Sequence, residues 1–141
     1  MNSTLLDLYL KETAVLASQN QQLLEGARER LIKGEKLSRL EEAGVVHTLQ
    51  ILIENAIGKA KQILKSQQQT IPTSAYDTIQ ALVAINQLDA EAAQQWSAII
   101  GLRNRIVHEY MNLDMRQVLA VVKEAKYQRV IDFLRAPIAK N

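Results

Sequence analysis

The chain has 141 residues, enough for one domain with its own core, and with 48% apolar and 23% charged residues it is not a disordered chain. It has no cysteine, which excludes a disulfide framework, a thiolate metal site and a cysteine nucleophile, and which fits a reducing cytoplasm. A net charge of +2 is too small to argue for a nucleic-acid partner by itself, and no apolar run approaches the roughly 20 residues that span a bilayer.

The opening stretch MNSTLLDLYLKET has no basic leader and carries an acid inside its apolar run, so no signal peptide is expected. The spacing predicts a first helix over residues 3–32, with apolar groups at Leu5, Tyr9, Leu16, Leu23, Ala27 and Leu31 and Gly34 as its stop. Arg28, Arg30, Lys33, Lys36 and Arg39, mixed with Glu29 and Glu35, read as a solvated face. Ser38 and Glu41 have the spacing of a capping box that opens a second helix. Val45, Val46, Leu49, Leu52, Ile53, Ala56, Ile57, Ala60, Ile63 and Leu64 form its continuous stripe. Lys59, Lys61 and Lys65 again read as a solvated face, with a phosphate-tracking surface as the less favoured alternative for both basic groups, and a polar linker from Ser66 to Thr70 leads to Pro72. Thr73 or Ser74 can cap a short third helix to about Asn86. Asp89 can cap a fourth to about Met111, and Asp114 a fifth to about Leu134, which buries Val118, Leu119, Val122, Ala125, Val130 and Phe133. No stretch alternates as a strand would. The expected fold is all-α, a single domain over residues 1–141, arranged as an up-down antiparallel bundle of four longer helices and one short one.

The fourth helix carries an anomaly. At about 100° per residue, Ala92, Trp96, Ile100, Val107 and Tyr110 share a narrow sector, and Arg103 falls in its middle. A guanidinium on a core-facing stripe is costly unless it is paired or lines a cavity. Either it is structural, paired with an acid such as Glu54 or reaching out to solvent, or it works in a site. His108 follows five residues later, about 140° around an ideal helix, so the two side chains do not converge unless the helix ends there or a second subunit completes the site. Asn104, four residues before His108, can touch it. His47, the only other histidine, reads as solvated or structural. No metal site is expected from two histidines without a zincin-type pair.

The stretch from Gly101 to Tyr110, GLRNRIVHEY, resembles the R-x4-H-x-Y form of the HEPN superfamily signature found in HepT toxins. The wider order is similar too: a helix like Leu49 to Ile57, a Pro-Thr-Ser-x-Tyr element at Pro72 to Tyr76, the RN-x3-HEY block, and an Asp-opened last helix, together spanning about residues 44–135. Gly58 departs from the pattern, since the resemblance leads to an acidic residue there.

The resemblance implies a cytoplasmic endoribonuclease that needs no metal or other cofactor, the toxin of a type VII toxin–antitoxin pair. Its expected substrate is RNA, mRNA or tRNA, cleaved within a homodimer whose signature helices meet. Arg103 and His108 would be catalytic, with Asn104 and Glu54 supporting them. A minimal nucleotidyltransferase antitoxin is the implied partner, and Tyr110 matches the tyrosine that accepts AMP from it. Tyr110 can equally be a core tyrosine. Two other readings stay open at this point: a non-catalytic helical partner of a nucleotidyltransferase, and a purely structural bundle with Arg103 paired in its core.

Overall fold

The computed structural model describes residues 3–138, and every regular element among them is helical. In chain order these are α1 (Ser3–Ile32), α2 (Arg39–Ser66), α3 (Ala75–Ala84), α4 (Ala93–His108), α5 (Met115–Lys123) and α6 (Gln128–Arg135). Short 3-10 turns at Ala90–Ala92 and Tyr110–Asn112 bracket α4.

α2 is the central element, packed against α1, α3, α4 and α6. All ten apolar residues of its expected stripe are buried. Its start is the expected capping box: Ser38 Oγ accepts from the Glu41 amide at 3.1 Å, and Glu41 Oε1 accepts from the Ser38 amide at 2.8 Å. The Ser38 amide and the Arg30 guanidinium of α1, which is ion-paired with Glu41, hold the Glu41 carboxyl down to about 2. Ser74, Asp89 and Asp114 cap the segments that follow, each through its side-chain oxygen.

α1 departs from expectation. Its packed face runs through Thr13, Ala17 and Leu24, with Ala27 and Leu31 partly buried, whereas Leu5, Leu16 and Leu23 are exposed. Two apolar lines share this helix, and its partners α2, α5 and α6 cover only one of them.

The expected fifth helix is two. The chain breaks after Lys123, where Ala125 takes a left-handed φ of 53°, Ala125 N donates to Val122 O at 3.0 Å and Lys126 N to Val121 O at 2.9 Å. This is a Schellman ending. The same bond pattern closes α1 at Gly34, α2 at Gln68 and α3 at Asn86, so only one of the four endings has the glycine that announces it. The break lets α6 turn its own apolar face inward, and Tyr127, Val130, Ile131 and Leu134 are buried with Val118 and Val122 of α5.

Lys59 is not on a solvated face. It is 1% exposed, and its Nζ donates to Phe133 O in the last turn of α6 and to Ala136 O just after it, both at 2.6 Å. The ammonium also lies 4.9 Å from the centre of the Phe133 ring, which meets Trp96 of α4 edge-on at 5.3 Å. This cluster joins α2, α4 and α6. Among the described residues no helix is long and apolar enough to cross a membrane.

Candidate functional site

α4 runs as regular helix from Ala93 to His108 and buries Trp96, Ile99, Ile100, Leu102 and Ile106. That line is rotated away from the sector expected from the sequence, and Val107, on its far edge, is exposed. Tyr110 belongs to the 3-10 turn beyond the helix, so helical phase does not govern it; it is 57% exposed, which excludes a core tyrosine. His108 is the last helical residue and is exposed, and Glu109 leaves the helix with φ −132°.

Arg103 sits where the helix meets α2. Its Nε lies 3.7 Å from Glu54 Oε1, and its Nη1 donates to Asn104 Oδ1 at 3.0 Å. Glu54 is itself held by Gln50, whose Nε2 donates to the same Oε1 at 3.2 Å. Gln50, Glu54, Arg103 and Asn104 thus form one polar chain across the α2–α4 seam. The 3.7 Å approach is an ion pair rather than a hydrogen bond, and Arg103 Nε is buried with no hydrogen-bond acceptor. The side chain is 26% exposed, so the guanidinium is oriented by its neighbours without being saturated by them. A cation in that state can take an oxyanion.

One expectation changes here. Asn104 bonds Arg103 rather than His108, because the Arg103 fork lies beside it and the imidazole hangs at the helix end. Arg103 and His108 leave a regular helix about 140° apart, so α4 of one chain does not aim both at one point. Gln50 was missed in the sequence because a glutamine on a helix flank carries no signal until its neighbour is known.

Gly58, where an acid was expected, has a structural explanation. A Cβ there would lie 2.7 Å from the hydroxyl oxygen of Tyr9, so the missing side chain makes room for the phenol of α1. Burial pushes the Tyr9 hydroxyl above its ordinary pKa, which keeps it protonated and able to donate.

A groove of about 1170 Å³, lined by Lys59, Trp96, Ile99, Val121 and Phe133, opens between α4 and the α5–α6 unit, and neither Arg103 nor His108 lines it. Among the described residues no three His, Cys, Asp or Glu side chains are grouped as metal ligands.

The Ribonuclease HepT-like family matches residues 18–136. The chain is 31% identical over 94 residues to the mRNA nuclease HepT of Shewanella oneidensis, a stretch covering 65% of this chain and 71% of that protein. Among solved structures, the tri-AMPylated Shewanella oneidensis HEPN toxin in complex with MNT antitoxin superposes with a TM-score of 0.74 at 23% identity, covering 97% of this chain and 100% of that one. A toxin–antitoxin with AMP-PNP gives 0.74 at 21% identity, over 95% and 99% of the two chains. These two likenesses establish the fold, and the family match covers most of the chain including the whole R-x4-H-x-Y block. The chain belongs to the ribonuclease HepT-like family.

Proposed function

We propose that this chain is an RNA-cleaving toxin whose working groups are Arg103 and His108, with Asn104 and Glu54 in support. The observation that carries the reading is the under-saturated Arg103, anchored by Glu54 inside the family's signature block. In the proposed reaction the RNA 2′-hydroxyl attacks the adjacent phosphorus, the bond to the 5′-oxygen breaks, and a 2′,3′-cyclic phosphate and a 5′-hydroxyl result. The step adds negative charge to the phosphate. Arg103 is always cationic and opposes that charge with a planar two-pronged donor, so no metal is called for. Histidine changes charge near neutral pH, which suits His108 to proton transfer with the attacking or leaving oxygen.

The divergent directions of Arg103 and His108 favour a homodimer in which the α4 ends of two copies share one cleft. Val107, Tyr110 and Met111 support this, since they surround His108 with apolar surface that is 40%, 57% and 92% exposed. An MntA-type nucleotidyltransferase antitoxin is the proposed partner, because solved relatives are toxin–antitoxin complexes and one toxin is AMPylated. Tyr110 is the proposed acceptor: its phenolic oxygen attacks the α-phosphorus of ATP, pyrophosphate leaves, and the phenol proton is lost. Its exposure two residues beyond His108 suits it to that role. The adenylate would bring bulk and negative charge to the mouth of the cleft and repel RNA.

The test is expression of wild type and His108→Ala without the partner, followed by growth, RNA integrity and end analysis of the fragments. Wild type is expected to arrest growth and leave cyclic phosphate ends, with a loss of about 10²- to 10⁴-fold in the variant. Intact RNA for both proteins would leave a non-catalytic partner of the nucleotidyltransferase as the better account.

A further inference from the structure

α2 is one helix from Arg39 to Ser66, so the residues that share the Glu54 face follow from its phase. At about 100° per residue, Gln50, Gly58, Lys61 and Lys65 all lie within about 40° of Glu54 around the axis. Glu54 marks the point where Arg103 docks. From there, Lys61 lies about 10 Å along the axis and Lys65 about 6 Å further, at a rise of about 1.5 Å per residue. Gly58 does not interrupt this line, because the protonated Tyr9 hydroxyl stands 2.7 Å from where its Cβ would be. The line therefore carries a guanidinium, a phenol donor and two ammonium groups in succession.

Beyond the Arg103–Glu54 ion pair, the two lysines of this strip have no acid to answer them on α2. Arg30 is paired with Glu35 and Glu41, Arg116 with Asp114 and Lys126 with Glu124, while Lys59 is buried against carbonyls. Among the described residues the side chains of Lys61 and Lys65 have no ion pair or hydrogen bond, and α2 has no acid after Glu54. Lys65 is exposed and Lys61 half-buried, so the second keeps its stem on the helix while its charge reaches water.

We infer that this strip is the track of the RNA strand: the chain leaves the Arg103 site along α2 toward its C-terminal end, and Lys61 and Lys65 hold the phosphates that flank the cleaved one. The inference rests on the ribonuclease reading and adds a direction and two contact residues to it. Lysines at such positions supply affinity without sequence preference and make it depend on salt.

The experiment measures binding of a 20-nucleotide 2′-O-methyl RNA, which cannot be cleaved, by fluorescence anisotropy over a range of salt. It compares wild type with the double variant K61A/K65A. Loss of two contacts is expected to weaken binding about tenfold at low salt and to flatten the slope of log affinity against log salt by about 1.4. Cleavage of a dinucleotide, too short to reach either lysine, is expected to stay within about twofold of wild type for the same variant. Unchanged affinity and slope would overturn the track, as would weaker binding with an unchanged slope. Because the binding arm needs no turnover, a protein that binds along the strip but cleaves nothing would overturn the ribonuclease reading and leave the track standing.

Discussion

Arg103 is costly to a simple core: its Nε is buried without a hydrogen-bond acceptor, and its main electrostatic contact is a 3.7 Å ion pair with a half-exposed Glu54. A structural arginine would be expected to be better paired. At the same scale, Gly58 and Tyr9 form a coupled pair. A methyl group at position 58 would press on the Tyr9 hydroxyl at 2.7 Å, whereas a phenylalanine at position 9 removes the atom it meets. Gly58→Ala alone is therefore expected to destabilise by roughly 1–2 kcal/mol, and much less in a Tyr9→Phe background. Urea denaturation of the four proteins checks this, and additive effects would mean that the two residues do not touch. The expected acid at position 58 was a family pattern, and this chain fills the space from another helix.

Among the elements, α6 depends on α2 in a way its own sequence does not announce. Eight residues make a marginal helix, and this one is held by burial of its apolar face and by the two bonds from Lys59 to its terminal carbonyls. Burial pushes the Lys59 ammonium down to about 8 from 10.5. The sign of the linkage follows: the folded chain releases this proton before the unfolded chain does, so Lys59 adds stability as pH rises from about 8 toward 10.5. The neutral amine still has two N–H groups for the two carbonyls. Lys59→Met is expected to lose roughly 1–3 kcal/mol by stranding those carbonyls, and to lose this rise with pH. Thermal or urea unfolding of both proteins at pH 7.5 and pH 10, taken as a difference, measures it. The break between α5 and α6 is of the same kind. An alanine at φ 53° is unfavourable locally and is accepted because the turned chain buries Tyr127, Ile131 and Leu134.

For the whole molecule, the exposed apolar residues are not evenly spread. Val107, Tyr110 and Met111 collect around His108, while Leu5, Leu8, Val15, Leu16 and Leu23 run along α1 away from its packed face. The first group is the one the proposed dimer needs. Val107→Glu with Met111→Glu is expected to shift the protein from dimer to monomer in sedimentation and to lower RNA cleavage by about tenfold or more, with helix content unchanged. A dimer that survives both charges would place the interface elsewhere.

The sequence by itself determined the fold class, the start of α2 and its entire buried stripe, and the caps at Ser38, Asp89 and Asp114, whereas it offered Glu54 only as one possible partner of Arg103. These are local or periodic: a cap is read within four residues, and one stripe on one helix is its core face. Only the tertiary structure decided which of two apolar lines on α1 is buried, since both have helical spacing and the choice lies with α2, α5 and α6. It also decided the break at Ala125, the burial of Lys59, the outward swing of Val107 and Tyr110, and the entry of Tyr9 at Gly58. Each is settled by a neighbour far away in the chain, and the contact that compensates a local cost exists only once the helices have packed.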